Sequence, residues 1–397
     1  MVKRLQRVFI TLLLSLLLLG SLLPEVIRWQ ALRTLATMGF DAELNYLGLT
    51  WRKGEIRLDG LRIEDTQGNS ATLDTLLLQV KLLPLWDRQL IITVIEGTGL
   101  QTHQADDTQL TLDRWSMQDS DIKVSLETAF PADESKQSLA VFMSGTLMLE
   151  HITLGRKGQR VAYFEASSLS LSGLSSSLGL GDGFDVVGTI TKFSLDHLSL
   201  FPQHQINSND TSFPARLSID SLQIDDVNVN VGGQNPKQMP KIDLRKVTLG
   251  GLKSLIVKNK DGTFELVAAL QTLNTSEEQQ TQAPAEPKSL LHYAVEQLEI
   301  SGDSRLAFYD LGLSRKSLFT LGDIALSINN IKPQETDVTS AFEWHSTFGE
   351  YGIIDIKGNS TLFSDAVNVD ASSKISSLDL APLSPILNTV MTHHIQR

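Results

Sequence analysis

The sequence predicts a mainly β protein, with an N-terminal transmembrane helix followed by an elongated, twisted antiparallel β-sheet and few helices. Three observations support this prediction. Sixteen consecutive residues near the N-terminus carry no charge. Most of the remaining chain alternates apolar and polar residues, which is the period of half-buried strands. Finally, 41% of the 397 residues are apolar and 20% are charged, which is enough apolar material for a core and excludes general disorder.

Composition also excludes several classes of site. The chain has no cysteine, which removes disulfide frameworks, zinc sites with cysteine ligands, iron–sulfur clusters and thiol nucleophiles. Its net charge is −12. Because Lys3, Arg4 and Arg7 precede every acidic residue, the chain beyond them carries 31 basic and 46 acidic side chains, or −15. An acidic body repels phosphate backbones, so nucleic acid is not an expected partner.

The uncharged stretch, Val8 to Leu23, predicts a membrane anchor. A helix of this length is about 24 Å long, slightly short for a hydrocarbon core of about 30 Å. The basic residues before it place the N-terminus in the cytoplasm and the body outside. A cleaved signal peptide is the alternative, but no A-x-A cleavage pattern follows. The predicted anchor residues are Val8, Phe9, Leu12, Leu16, Leu19 and Leu23.

Residues 25–39 follow with apolar residues at helical spacing and with Gly39 as the expected C-cap. This helix either lies on the lipid surface or caps the first sheet, and the second interpretation is favoured. Only residues 290–295 and 385–391 show further helical patterns. Helices therefore contribute little to the predicted fold.

From Phe40 onward the pattern predicts strands separated by turns rich in Gly, Asn and Asp. The clearest alternating runs are Glu55 to Glu64, Gln109 to Met117, Thr191 to Leu200 and Arg216 to Val231. Within them a short unit recurs, in which an apolar residue and Asp are followed by any residue and then by apolar residues at alternate positions. It begins at Leu58, Leu73, Leu112, Leu195 and Ile219.

Each recurring unit shifts the alternation by one residue, because the apolar residues on either side of its Asp are three apart. A flat strand would then turn half of its apolar residues to the opposite face, so we expect the strand to bulge or bend there. A catalytic or calcium-binding role for these aspartates is disfavoured, because no second carboxylate or amide stands at ligand spacing. The unit therefore predicts a curved sheet.

A long sheet needs a second layer, and few helices are present to provide it. Either another sheet packs on the apolar face, or that face lines a groove for an apolar guest. For a membrane-tethered, exported protein the expected guest is a lipid acyl chain. The candidate groove-lining residues are Ile56, Leu58, Leu76, Leu78, Ile219 and Val229.

The chain divides at residues 274–288, which are rich in Gln, Glu and Pro and contain no apolar residue larger than alanine. This composition predicts a flexible linker or loop. The expected organisation is a cytoplasmic tip and anchor at 1–24, a β-rich groove segment at 25–273, the linker, and a second β-rich segment at 289–397.

The stretch from Met38 to Gln101 resembles the N-terminal region of AsmA-like bacterial envelope proteins. The matching features are Gly39-Phe40, the strand Leu58 to Ile63, the Leu-Pro-Leu segment at Leu82 to Leu85, and Ile92 to Gly97. Near the other end, VEQLEISGDSRLAFYD and SLDLAPLSPIL are similar to a domain of unknown function found in AsmA-like proteins. The resemblance covers roughly the first and last hundred residues.

This resemblance implies a single-pass protein of the bacterial inner membrane whose periplasmic body is a long twisted β-sheet forming a hydrophobic groove. It also implies lipid traffic to the outer membrane and support of envelope integrity, with membrane phospholipids and other envelope proteins as partners. It transfers no catalytic residue. Many such proteins are longer, so the C-terminal segment is expected to be a short or truncated version.

Searches for enzyme motifs find none that holds. There is no Gly-x-Ser-x-Gly, and the sequence contains no complete EF-hand or nucleotide-binding loop. We therefore predict no catalytic residue, no cofactor and no metal site. Two functions remain open: a groove that binds or conducts phospholipid, and a non-enzymatic scaffold with a closed β-sandwich that binds other proteins. A membrane-tethered hydrolase is disfavoured.

Overall fold

The computed structural model describes a large part of the chain between residues 24 and 378. The described residues are 24–37, 39–50, 52–81, 89–105, 107–125, 139–156, 162–180, 184–201, 215–232, 240–265, 267, 292–312, 318–364 and 367–378. The six predicted anchor residues lie outside them, as does the predicted linker at 274–288. The chain forms two compact units, unit 1 (Met1–Gln159) and unit 2 (Arg160–Arg397).

The first described element of unit 1 is a helix, α1, at residues 24–37. The predicted C-cap is confirmed: Gly39 has a φ of +89°, and its N–H donates to Ala36 O at 3.1 Å. Glycine is favoured in this left-handed position because it has no Cβ. None of the helices in the described part of the chain has both the length and the apolar content needed to cross a membrane.

Seven strands follow α1 among the described residues of unit 1. They are β1 (Phe40–Thr50), β2 (Glu55–Asp65), β3 (Ser70–Lys81), β4 (Gln89–His103), β5 (Thr108–Gln118), β6 (Ile122–Ser125) and β7 (Leu139–Arg156). They pair in chain order, each antiparallel to its neighbours. The short strands β5 and β6 lie end to end between β4 and β7 and pair with both. The antiparallel sheet predicted from the alternation is thus present in unit 1.

Unit 2 has eleven strands among its described residues. They are β8 (Ala162–Leu180), β9 (Phe184–Leu200), β10 (Leu217–Gly232), β11 (Lys241–Gly250), β12 (Lys253–Lys258), β13 (His292–Ser301), β14 (Arg305–Asp310), β15 (Leu318–Ile331), β16 (Ser340–Phe348), β17 (Gly352–Ser360) and β18 (Val369–Ser376). The helix expected at 290–295 is wrong, because His292 already belongs to β13. Here Tyr293, Val295 and the following residues alternate as a strand and pair with β11.

The sheet of unit 2 departs from the prediction at one place. Strands β11 and β12 pair in parallel with β13 and β14, whereas the other pairs among the described strands are antiparallel. A parallel pair requires a long crossover connection, and residues 259–291 provide it. In chain order the predicted linker at 274–288, which lies outside the described residues, falls between β12 and β13, and the domain boundary placed there stays a prediction.

Unit 1 is bent along a transverse row, bend row 1, with one residue in each of β1 to β5 and in β7. Its members are Asn45, Gly60, Asp74, Gly99, Asp113 and His151. Gly60, Gly99 and His151 have φ values of +66°, +66° and +53°, a left-handed conformation foreign to an extended strand. The polar members of the row, on the strands between them, each face one of these left-handed residues. A Cβ on Gly99 would lie 2.0 Å from Asp74 Oδ2.

Two similar rows cross unit 2. Bend row 2 comprises Ser167, His197, Asp220 and Gly251, and bend row 3 comprises Gly173, Thr191, Asp226, Arg245, Glu296 and Asn330. His197 and Gly251 are left-handed in the first of these, and Gly173, Asp226 and Asn330 in the second. In both rows a left-handed residue alternates with an extended one from strand to strand, except between β11 and β13, which are parallel.

The shift of alternation predicted for the recurring Asp units is confirmed by burial. In β9, Leu195 is buried and Leu198 is half-buried, although Asp196 and His197 between them are exposed, and His197 has a φ of +50°. In β10, Ile219 is buried ahead of an exposed Asp-Ser pair. A residue in the left-handed conformation allows apolar residues three apart to remain on one face, because it reverses the strand's direction of pleating locally.

Candidate functional site

The apolar face of unit 1 is organised as two ladders of cross-strand neighbours, and both run over the same six strands. Ladder 1 comprises Leu49, Ile56, Leu78, Ile95, Met117 and Leu147, and ladder 2 comprises Leu47, Leu58, Leu76, Gly97, Trp115 and Leu149. Directly opposite residues on adjacent strands share a face and have Cβ atoms about 5 Å apart. The two ladders therefore form a continuous apolar surface across the sheet.

Trp115 is the largest member of this surface and needs a glycine beside it. A Cβ on Gly97 would lie 2.2 Å from the Trp115 ring, so the indole lies against the bare backbone of β4. Its Nε1 is buried and has no hydrogen-bond partner among the described residues. The sequence alone does not reveal this pairing of a tryptophan with a glycine, because it depends on the register between β4 and β5.

Unit 2 carries two longer ladders of the same kind. Ladder 3 comprises Leu169, Leu195, Leu222, Leu249, Ile300, Leu326, Trp344 and Ile356, and ladder 4 comprises Leu171, Phe193, Ile224, Val247, Leu298, Ile328, Phe342 and Gly358. Both continue without interruption through the parallel pair of β11 and β13. A change of strand direction thus leaves the apolar face intact, because side chains alternate with period two in either direction.

The apolar faces are only partly covered. The largest side chains with under 2% exposure are Val257, Ser304, Ser340 and Ser346, so no leucine, isoleucine or aromatic residue in the described part of the chain is fully enclosed. Most members of the four ladders are half-buried, so part of each apolar face stays exposed to solvent.

The six candidate groove-lining residues fall into two groups. In unit 1, Ile56 pairs with Leu78 and Leu58 pairs with Leu76, so these four share one face, and each is half-buried. In unit 2, Ile219 and Val229 both lie in β10, where bend rows 2 and 3 pass between them. Ile219 is 8% exposed and faces Leu198, whereas Val229 is half-buried and faces Ile242.

An open pocket of about 730 Å³ crosses β13 and β15 to β18 in unit 2. Its lining includes four members of ladder 3, namely Ile300, Leu326, Trp344 and Ile356, together with charged residues from the positions on either side. Among these, His345 Nδ1 lies 2.6 Å from Asp355 Oδ1. A volume of this size is within the range of about 300–1,000 Å³ that is usual for small-molecule sites.

One buried charge lies beside the parallel pair of unit 2. Arg216 is 6% exposed and forms an ion pair with Glu265, which belongs to the crossover connection. Burial lowers the pKa of Arg216, and the neighbouring carboxylate opposes this effect. The pair ties the crossover to the start of β10. Sequence reasoning missed it, because the two residues are far apart in the chain.

The charged groups of unit 1 are arranged at strand ends and on exposed faces. Asp121 lies 3.1 Å from Lys81 and 3.4 Å from Lys123. The hydrogen bond from Lys81, followed by that from Lys123, holds the pKa of Asp121 below its ordinary value. Among the described residues, no group of three His, Asp or Glu side chains could hold a metal ion. Apart from the apolar faces, no site in the described residues suggests a particular chemistry.

Comparison with known proteins gives no match. No protein-family model matches the chain, and neither a curated protein nor a solved structure does so. The AsmA-like resemblance of Met38 to Gln101 therefore stays a prediction that rests on hydrophobic patterns.

Proposed function

We propose that the chain is an inner-membrane-anchored periplasmic protein whose apolar faces form a β-groove that binds or conducts phospholipid between membranes. Such a protein would support outer-membrane assembly and envelope integrity. The observation that carries the proposal is the set of four continuous apolar ladders, most of whose members remain partly exposed. An apolar surface this continuous is costly in water and is typical of a binding surface.

The ladders suit acyl chains in particular. Apart from Met117 and two glycines, their members are aliphatic and aromatic residues, and the ladders continue from strand to strand without a charged residue. An acyl chain has no hydrogen-bonding groups, so it leaves no unpaired polar atom on such a surface. The sequence supports the same guest, because the uncharged stretch Val8 to Leu23 predicts an anchor in a phospholipid membrane. The AsmA-like resemblance points to lipid traffic as well.

The proposal is tested by the lipid load of the purified full-length chain. The double variant Leu58→Asp/Leu76→Asp places two carboxylates at the centre of ladder 2. The matched control is Leu77→Asp, on the same strand but on the opposite face, where Leu77 faces Arg57 and Glu96. We expect phospholipid, extracted and quantified by mass spectrometry, to fall sharply in the double variant and to persist in the control. Circular dichroism checks that strand content is unchanged.

Equal lipid loads in the double variant and the control would contradict the proposal, because the site would then not depend on the ladder face. A wild-type chain without phospholipid would do the same. Either result would favour the scaffold.

A protein-binding scaffold is the second candidate, and one observation favours it. Exposed large apolar side chains lie at both ends of the hairpin formed by β17 and β18, with exposures of 38–68%. At one end they are Tyr351, Ile353 and Ile375, and at the other Phe363, Val367 and Val369. Exposed apolar residues of this type also mark protein interfaces.

A further inference from the structure

Helix α1 presents two different sides. Arg28, Leu32 and Leu35 are half-buried and lie along one side of the helix. Val26 and Trp29, which lie along another side, keep 56% and 57% of their surface exposed. These two residues and Arg33 are three or four positions apart, so they form one stripe on the helix surface.

The stripe, defined here as Val26, Trp29 and Arg33, combines apolar surface with a cation. The guanidinium carbon of Arg33 lies 5.2 Å from the centre of the Trp29 ring, within the range of a cation–π contact. Arg28, on the other side of the helix, is instead paired with Glu25 at 3.2 Å. The stripe thus offers a positive charge directly above an exposed aromatic ring.

This combination fits the headgroup layer of a bilayer. Tryptophan is enriched at membrane–water interfaces because its ring is apolar and its N–H is polar. Arginine buries its stem along apolar surface and keeps its charge at the phosphates. In the sequence, α1 follows the uncharged stretch Val8 to Leu23 immediately, so a chain anchored by that stretch holds α1 next to the membrane. A protein partner would give no reason for the stripe to follow the predicted anchor directly, whereas a membrane does.

We propose that the stripe of α1 lies in the headgroup layer of the membrane, with Trp29 at the level of the lipid ester groups and Arg33 at an anionic phosphate. The proposal rests on the proposed function for its membrane anchor. It adds a role for α1: strand β1 begins at Phe40, shortly after the helix ends at residue 37, so a helix that lies on the bilayer holds the first strand of unit 1 close to the lipid.

The cysteine-free chain allows a direct test by single spin labels. The full-length variants Ala36→Cys, on the stripe side, and Ala31→Cys, on the opposite side, are labelled and inserted into nanodiscs of phosphatidylcholine with phosphatidylglycerol. Power saturation then compares collisions of each label with oxygen, which concentrates in the bilayer, and with a water-soluble nickel chelate. We expect the label at 36 to favour oxygen and the label at 31 to favour nickel.

Charge reversal provides the second measurement. In the Ala36→Cys background, Arg33→Glu should shift the label toward the aqueous reagent, because a carboxylate is repelled by the anionic headgroups. Thr34→Glu, an exposed position on another side of α1, is the matched control and should leave the label where it was. Nanodiscs of phosphatidylcholine alone should reduce the effect of Arg33→Glu.

The outcomes separate this proposal from the proposed function. Equal aqueous accessibility at positions 31 and 36, in a chain that co-elutes with nanodiscs and carries phospholipid, overturns the stripe alone. A chain that fails to co-elute with nanodiscs overturns the membrane anchor and the stripe together. An unchanged label in Arg33→Glu overturns the role of the cation at the phosphate.

Discussion

In unit 1 every strand pair is antiparallel and bend row 1 crosses the sheet, whereas in unit 2 two bend rows cross it and a parallel pair lies in the middle. The apolar ladders are nevertheless continuous in both units. Bending of the sheet therefore depends on a local feature, a left-handed residue that faces a polar side chain of the next strand. Strand direction depends instead on the connection between strands, and the apolar face is independent of both.

The two units also differ in how charge is used. Among the described residues, the buried charged side chains are Arg216 and Asp310, and both belong to unit 2. Asp310 receives a hydrogen bond from Lys258 at 3.2 Å, and both residues lie at the ends of the parallel strands β12 and β14. Buried charge thus accompanies the parallel pair, where Glu265 of the crossover contacts Arg216.

The largest loss of stability is expected when a left-handed glycine of a bend row is replaced. In unit 1, Gly99→Ala places a Cβ against the Asp74 carboxylate and forces an L-residue into a left-handed conformation, which should cost about 3 kcal/mol of stability. Gly251→Ala in unit 2 should cost about as much, because its Cβ would lie 2.1 Å from Asp220 Oδ2. Hydrogen exchange in β3–β4 and in β10–β12 measures each change locally.

Gly68→Ala is the matched control for both substitutions. Gly68 has a φ of +86°, but nothing lies within 4 Å of its Cβ position, so the variant should show only the backbone cost of about 1–2 kcal/mol. The double variant Asp74→Ala/Gly99→Ala should recover the remainder. If Gly99→Ala and Gly68→Ala are equally stable, the facing carboxylate has no part in the bend. A much smaller effect at Gly251 would mean that the two units bend differently.

A smaller effect is expected at the parallel pair. Glu265→Gln leaves the buried Arg216 guanidinium without its counter-charge, and should destabilise β10 and β12 by about 2 kcal/mol, less than for a fully buried pair, because Glu265 keeps 30% of its side-chain surface exposed. Hydrogen exchange of the two strands measures it. In unit 1, Asp59→Asn breaks the exposed pair between Arg57 and Asp59 and should leave its strands unchanged. If the two substitutions change hydrogen exchange by the same amount, the two units do not differ in their dependence on charge.

The features that could be predicted from the sequence are those that depend on residues close together in the chain. The strands at Glu55 to Glu64 and Arg216 to Val231 follow from period-two alternation, and the bends follow from the three-residue spacing at each Asp. Ile56, Leu58, Leu76 and Leu78 share a face because β2 and β3 form a hairpin with a short turn, so their register is a local property.

The remaining features depend on register between distant segments. Gly60 and His197 follow an Asp in their own strand, but Asp74 and Asp220 face a left-handed residue of the next strand, and no single segment reveals this. The parallel pair was missed because alternation is the same in either direction. Members of ladder 3 such as Trp344 could not be predicted either, because only the pairing of eight strands brings them into one row.

The central claim is that the ladder faces of both units hold lipid, and photo-crosslinking tests it most directly. Benzoylphenylalanine is placed at Leu76 and Leu222 on the ladders, and at the adjacent positions Leu77 and Gln223 on the opposite face, in the full-length chain expressed in cells with radiolabelled phospholipid. We predict light-dependent labelling at positions 76 and 222 and none at 77 and 223. Equal labelling at all four positions, or no labelling at 76 and 222, would contradict the account.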